Sequence, residues 1–175
     1  MGLAHLSCLV RQAEVATEPA LGSGTSLKWQ ECFDCGQDFH GSVQLALAWA
    51  AWRTYVDRPE TDEFRCLALE VLGNGLQANG EAEAALPVLV ANLALRERYW
   101  SGDEHAVLAA KANLAGVLAD VGRQVEALQM KRDVYARSLT FYGNASDKTL
   151  LRAGNLAYSL TEARAFDEVI PFLRE

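Results

Sequence analysis

The stretch Asn113-Leu114-Ala115-Gly116-Val117-Leu118 has one counterpart 42 residues earlier and another 42 residues later. The three copies share a leucine, a small residue directly after it, a second leucine four positions on and an aliphatic residue fourteen positions on. These residues are Leu72, Gly73, Leu76 and Leu86, then Leu114, Ala115, Leu118 and Leu128, then Leu156, Ala157, Leu160 and Ile170. Self-similarity at such a period is typical of stacked helical hairpins, because one hairpin cannot bury its apolar face alone. The sequence therefore predicts an all-α helical-hairpin solenoid with a period of 42 residues.

Composition limits the class of protein. The chain has 175 residues, of which 50% are hydrophobic, and a formal net charge of −7. It can therefore bury a sizeable core, and because it has no basic run we expect neither nucleic acid nor a membrane surface as partner. No apolar run reaches the roughly 18–20 residues of a membrane span, and the stretch Met1 to Val10 lacks the basic start of a secretory signal. We expect a cytoplasmic protein whose cysteines are thiols or metal ligands.

Two parts of the chain differ in their pattern. Residues 1–41 hold three of the four cysteines and show little helical periodicity after about Val15, so we expect a small separate head. Residues 42–175 are rich in alanine and leucine and follow a helical pattern. Clusters of Gly, Pro, Asp and Asn divide this second part. The predicted segments are a leading helix at 42–57 and repeats at 61–100, 104–142 and 146–175. Because the third repeat stops inside its second helix, we expect it to fray and the chain to be a fragment.

Further residues recur in the second and third repeats. They are Asn113, Leu114, Ala115, Leu118, Gly122, Glu126, Ala127 and Leu128, then Asn155, Leu156, Ala157, Leu160, Glu168, Val169 and Ile170. This pattern resembles tetratricopeptide repeats of the kinesin-light-chain type, which read Asn-Leu-Ala, Leu, Gly and Glu-Ala-Leu in that order. Arg164 stands where the family has its turn glycine, and Val71 stands where the asparagine recurs.

The resemblance implies a protein-protein interaction scaffold that binds peptide segments in a concave groove formed by the first helix of each repeat. By register, the groove residues are Glu70, Asn74, Asn113, Gly116, Asp120, Arg152, Asn155, Tyr158 and Glu162. Asparagine suits such a groove because its amide both donates to and accepts from a peptide backbone. The groove is neutral to acidic apart from Arg152 and Lys111, so we expect a basic or mixed peptide as partner. The alternative, that these residues only solvate the surface, stays open.

The head contains two pairs of metal-binding residue types, each spaced to grip one ion from a single turn. The pairs are His5 with Cys8 and Cys32 with Cys35. Four such ligands would satisfy a tetrahedral structural zinc. Two alternatives stay open: Cys32 and Cys35 form a redox pair, although no βαβ pattern surrounds them, or the residues bind no metal.

The head is similar to the C-terminal half of a RING-variant (RING-CH) zinc domain. The matching elements are His-x-x-Cys-Leu from His5 to Leu9, then Cys32-x-x-Cys35, and a phenylalanine at Phe39. The resemblance implies that His5 and Cys8 bind one zinc, and that Cys32 and Cys35 bind another. Each zinc would then need two cysteines upstream of Met1, so either upstream sequence is missing, or one zinc takes all four ligands, or the head binds no metal.

This second resemblance implies an alternative function. The intact protein would be a RING-variant ubiquitin ligase, in which the head recruits a ubiquitin-conjugating enzyme and the repeats bind the substrate. Gln12 replaces the tryptophan that this family often uses for the recruitment. We therefore expect no ligase activity from this chain.

The remaining aromatic and nucleophilic residues are assigned to the core. Trp49 and Trp52 are expected to pack the head against the first repeat, and Cys66 is expected to be an inert buried thiol. No Ser/His/Asp set, carboxylate pair or Gly-rich phosphate loop stands out. The sequence therefore predicts no catalytic residue.

Overall fold

The computed structural model describes residues 6–17, 29–32, 35–165 and 167. Within these ranges the chain forms seven α-helices and, as β structure, only the isolated bridge between Glu31 and Asp38. The helices are α1 (Leu6–Thr17), α2 (Gly41–Tyr55), α3 (Glu63–Ala78), α4 (Ala82–Tyr99), α5 (Glu104–Asp120), α6 (Gln124–Tyr142) and α7 (Asp147–Glu162). The prediction of an all-α protein is confirmed. None of the described helices is long and apolar enough to cross a membrane.

The chain divides into two compact units, Met1–Tyr99 and Trp100–Glu175. In the first unit, α1 packs against α2, α2 against α3 and α3 against α4. In the second unit, α5 packs against α6 and α6 against α7. Short turns join α3 to α4, α5 to α6 and α6 to α7, so the helices of each pair run antiparallel. In the second unit, α5 and α7 are therefore both antiparallel to α6 and run parallel to each other.

The same C-terminal turn ends α3, α5 and α7. In each case a residue with a left-handed backbone follows the helix: Gly80 (φ 82°), Gly122 (φ 80°) and Arg164 (φ 57°). The next N–H then donates to a carbonyl five residues back, as in the 2.9 Å bond from Ala165 N to Leu160 O. This is the Schellman motif, which usually requires glycine. The third turn forms without glycine, although the left-handed backbone costs a non-glycine residue roughly 1–2 kcal/mol.

In the first unit, α3 is packed closely on two sides. A Cβ added at Gly73 would overlap the side chain of Leu89 in α4, and one added at Gly75 would lie 2.8 Å from the Cβ of Ala48 in α2. Both glycines are buried. Their missing side chains let α2 and α4 approach the backbone of α3, as small residues do at helix crossings.

In the second unit, leucines of α7 pack against α6. Leu156 and Leu160 are buried and contact Leu128 and Tyr135 of α6. Arg137, in the C-terminal half of α6, donates two hydrogen bonds, of 2.9 and 2.7 Å, to the carboxylate of Glu104 at the start of α5. Apolar packing and a bidentate ion pair therefore hold the three helices together.

The tryptophan that packs against the helices of the first unit is Trp29, and the prediction for Trp49 is wrong. Trp29 is only 2% exposed, and its ring meets that of Tyr55 edge to face at 6.3 Å between centroids. Trp49 is 40% exposed. The physical reason is the orientation of α2, whose buried face carries Leu47, Ala48, Ala51 and Tyr55 and leaves Trp49 on the opposite side.

Candidate functional site

One face of α7 presents three of the predicted groove residues, together with Leu151, to solvent. Leu151, Asn155, Tyr158 and Glu162 are spaced by four, three and four residues, which places them on one side of a helix. All four are exposed, Leu151 by 57% and Tyr158 by 68%. The opposite side of α7 carries the buried leucines, so this face is available for contact with another molecule.

The groove residues predicted on α5 lie in the same unit. Asn113 and Gly116 are half-buried, and Asp120 is exposed at the C-terminal end of the helix. Since α5 and α7 are parallel, Asp120 and Glu162 both lie at the C-terminal ends, whereas Arg152 lies in the N-terminal half of α7. The two helices therefore carry acidic side chains at the same end.

Lys131 of α6 is a cation near this acidic end that sequence reasoning missed. Its Nζ donates a 2.6 Å hydrogen bond to Oγ of Ser159 in α7. Burial lowers the pKa of Lys131, and the charge of Asp120 partly offsets that effect. Lys131 was missed because it belongs to the second helix of a repeat, whereas the groove residues were predicted from the first helices only.

The two groove residues predicted in the first unit are Glu70 and Asn74 of α3. Glu70 lies 3.6 Å from Nη2 of Arg96 in α4, and Arg96 is almost fully buried. A buried guanidinium without a counter-charge would be strongly destabilising, so Glu70 has a role in packing α3 on α4. Asn74 is half-buried.

The cysteine pair of the head lies in a tight turn. The N–H of Cys32 donates to the carbonyl of Gln37 (2.7 Å), and the N–H of Gly36 donates to the carbonyl of Cys32 (2.8 Å). Gly36 takes a left-handed backbone with φ 68°. Cys35 is exposed and Cys32 is half-buried, so neither thiol is in the apolar core.

The other predicted zinc ligands do not complete a centre in the described part of the chain. Cys8 is exposed on α1, and His5 lies outside the described residues. Over residues 6–17, 29–32, 35–165 and 167, no group of three or more His, Cys, Asp or Glu side chains is arranged to hold a metal ion. The described turn thus supplies two thiols, half of the four ligands that a structural zinc needs.

Cys66 differs from the three cysteines of the head. It is fully buried, and Nδ2 of Asn92 lies 3.3 Å from its sulfur. Burial raises the pKa of the Cys66 thiol to about 11. Because the thiolate is the reactive form, both the burial and the raised pKa disfavour reaction at this sulfur. The prediction that Cys66 is buried is confirmed.

A last group of polar side chains gathers where α5 begins, α6 ends and α7 begins. His105, Tyr142 and Lys148 contact one another there, and none of them was among the predicted site residues.

No protein-family model, curated protein or solved structure matches the chain.

Proposed function

We propose that the chain is a tetratricopeptide-like scaffold of the cytoplasm, which binds peptide segments of other proteins through α5 and α7. The exposed face of α7 carries this proposal. Tyr158 and Leu151 are more than half exposed on it, with Asn155 between them, and Leu150 beside them is 57% exposed. Large apolar side chains gathered on an exposed surface mark interaction sites, and tyrosine is among the residues that contribute most to binding.

The charges around this face favour a basic or mixed peptide. Asp120 and Glu162 lie at the C-terminal ends of their helices, where they would attract a lysine or arginine of the peptide. The face of the Tyr158 ring would contact either the same cation or an apolar side chain of the peptide. The amides of Asn113 and Asn155 would hydrogen-bond the peptide backbone. Because every peptide has the same backbone, these contacts do not require one particular peptide sequence.

A random peptide library displayed on phage tests the proposal. We expect selection on the purified chain to enrich peptides that combine basic and apolar residues. Fluorescence anisotropy with one enriched peptide should show that Tyr158→Ala weakens binding by about 30-fold, the effect of losing a strong contact residue. The matched control is Val125→Ala, which removes a side chain of α6 that is 81% exposed, and we expect it to leave the affinity unchanged. No enrichment, or an equal loss in both variants, would contradict the proposal.

A second candidate is that the chain is a fragment of a RING-variant ubiquitin ligase whose head binds zinc. The turn from Cys32 to Gln37 favours it, because its backbone hydrogen bonds hold two accessible thiols on one short loop. Zinc would act there as a structural cross-link between this loop and ligands elsewhere in the intact head. Recruitment of a ubiquitin-conjugating enzyme would belong to that intact head.

Zinc content tests the second candidate. We expect the purified chain, after dialysis against a weak chelator, to retain zinc when measured by atomic emission. Cys35→Ser should abolish the retained zinc, and the control Cys66→Ala should keep it, because Cys66 lies in the core between α3 and α4. Zinc that persists in Cys35→Ser would exclude the turn as its site, and a chain without zinc would leave only the scaffold. Strong autoubiquitination by this chain would favour the ligase over the scaffold.

A further inference from the structure

Three helices of the second unit bring His105, Tyr142 and Lys148 into contact. Together with Arg152, whose charge acts on Tyr142, they are here called the His105 cluster. The hydroxyl of Tyr142 lies 2.5 Å from Nδ1 of His105. Nζ of Lys148 lies 3.2 Å from the same Nδ1 and 5.1 Å from the centre of the Tyr142 ring. Arg152 follows Lys148 by one helical turn. Burial raises the pKa of Tyr142, the charge of Arg152 opposes that rise, and the charges of Asp103 and Glu104 add to it.

Nδ1 of His105 lies within hydrogen-bond distance of both the Tyr142 hydroxyl and the Lys148 ammonium group. A ring nitrogen has one lone pair, so Nδ1 accepts from at most one of these two groups at a time. Lys148 keeps two further N–H groups, so the cluster has several donors that its internal contacts leave unused.

The cations of the cluster make no direct ion pair with the acids near them. Lys148 and Arg152 are four residues apart on α7, a spacing at which like charges repel. Of the acids whose charges act on Tyr142, Glu104 is ion-paired with Arg137, and Asp103 accepts from the N–H of Ala106, which leaves its charge in place. In the part of the chain that the structure describes, neither Lys148 nor Arg152 is ion-paired.

A buried nitrogen of Arg152 gives a second, independent indication that the cluster is a ligand site. Its Nε is buried and has no hydrogen-bond partner among the described residues. A buried donor without a partner is unfavourable, because it has lost its hydrogen bonds to water and gained none in return. The chain has a net charge of −7, yet this patch carries two unpaired cations beside a histidine. An anion bound there would stabilise the patch.

We propose that the His105 cluster is an oxyanion site that binds a phosphate monoester. A phosphate dianion matches the two positive charges and offers enough oxygens to accept from Lys148 and Arg152 at once, with the His105 ring beside it. The first turns of α5 and α7, which carry His105 and Lys148, add a favourable helix dipole. The site shares Arg152 with the predicted groove but uses none of the α7 face residues that carry the peptide proposal. Its ligand is either a free phosphate ester or a phosphorylated side chain of a partner.

NMR of the His105 ring tests the proposal. Inorganic phosphate, added at neutral pH and constant ionic strength, should shift the Cε1–H signal of His105 in a saturable way. Lys148→Gln and Arg152→Gln should each weaken binding by about tenfold or more, as expected for loss of a charge-assisted hydrogen bond. Lys148→Arg keeps the charge and should retain most of the affinity.

The matched control is Lys111→Gln, which removes the same charge from α5 and breaks the 2.9 Å ion pair with Asp133. We expect it to leave phosphate binding unchanged. Thermal unfolding of each variant checks the fold, which these exposed or half-buried positions should not disturb. A linear, non-saturating shift, or equal weakening in Lys111→Gln and Lys148→Gln, would overturn the site.

Two further ligands distinguish the sources of the phosphate. A phosphoserine peptide that binds at least about tenfold tighter than glycerol phosphate would identify a phosphorylated partner, because contacts outside the phosphate would then add affinity. Equal affinities would identify a free ester as the ligand. Both results require the saturable response of His105, and failure of the peptide-library selection would leave them unaffected.

Discussion

Replacement of Leu114 by alanine is expected to lower the free energy of unfolding by about 2–5 kcal/mol. Leu114 lies in α5 and is only 5% exposed. The shorter side chain would leave a cavity between helices, and the energetic cost combines lost burial with lost packing around that cavity. Urea denaturation measures the effect as a lower midpoint at unchanged slope.

The matched control for this prediction is Leu151→Ala, which makes the same chemical change on the exposed face of α7. Surface substitutions of this kind usually stay within about 0.5 kcal/mol of the wild type. A cost near zero for Leu114→Ala would show that the repeat register assigns the wrong residues to the core. Equal costs for both variants would contradict the orientation of α5 or α7.

Substituting alanine at two helical glycines is expected to change stability in opposite directions. In α3, the Cβ of Gly73→Ala would meet the buried side chain of Leu89, and overpacking of this kind costs about 1–3 kcal/mol. In α7, Gly154→Ala would place a Cβ where no atom lies within 4 Å. There the helix gains about 0.5–1 kcal/mol, because alanine loses less backbone freedom than glycine.

This pair separates local propensity from tertiary packing. Both substitutions improve helix propensity by the same amount, so any difference between them comes from the surroundings of the added methyl group. We expect Gly73→Ala to melt at a lower temperature than the wild type and Gly154→Ala at a higher one. If both variants became more stable, α4 would not approach α3 as closely as the structure has it.

Much of the helical structure can be predicted from local sequence. Asp62 and Asp103 precede α3 and α5 and accept hydrogen bonds from the first N–H groups of those helices, a role that aspartate commonly has. Gly80 and Gly122 lie where the left-handed turns require glycine. These signals act over a few residues, so they can be read without knowing the fold.

The head was less predictable. The spacing of Cys32 and Cys35 indicated a pair on one turn, but the sequence could not show whether distant ligands approach it. The importance of Trp29 was also hidden, since its burial against Tyr55 depends on how α2 is oriented.

By itself, the sequence determined that the described chain is helical and where α3 and α5 end, because periodicity, caps and turn glycines act locally. Tertiary structure alone decided that Arg164 takes a left-handed turn without glycine, since packing of Leu160 holds the end of α7. It also decided the His105 cluster. His105 is separated from Tyr142 by 37 residues and from Lys148 by 43, and only the packing of three helices, each reversing the direction of the last, brings these side chains to one end of the unit.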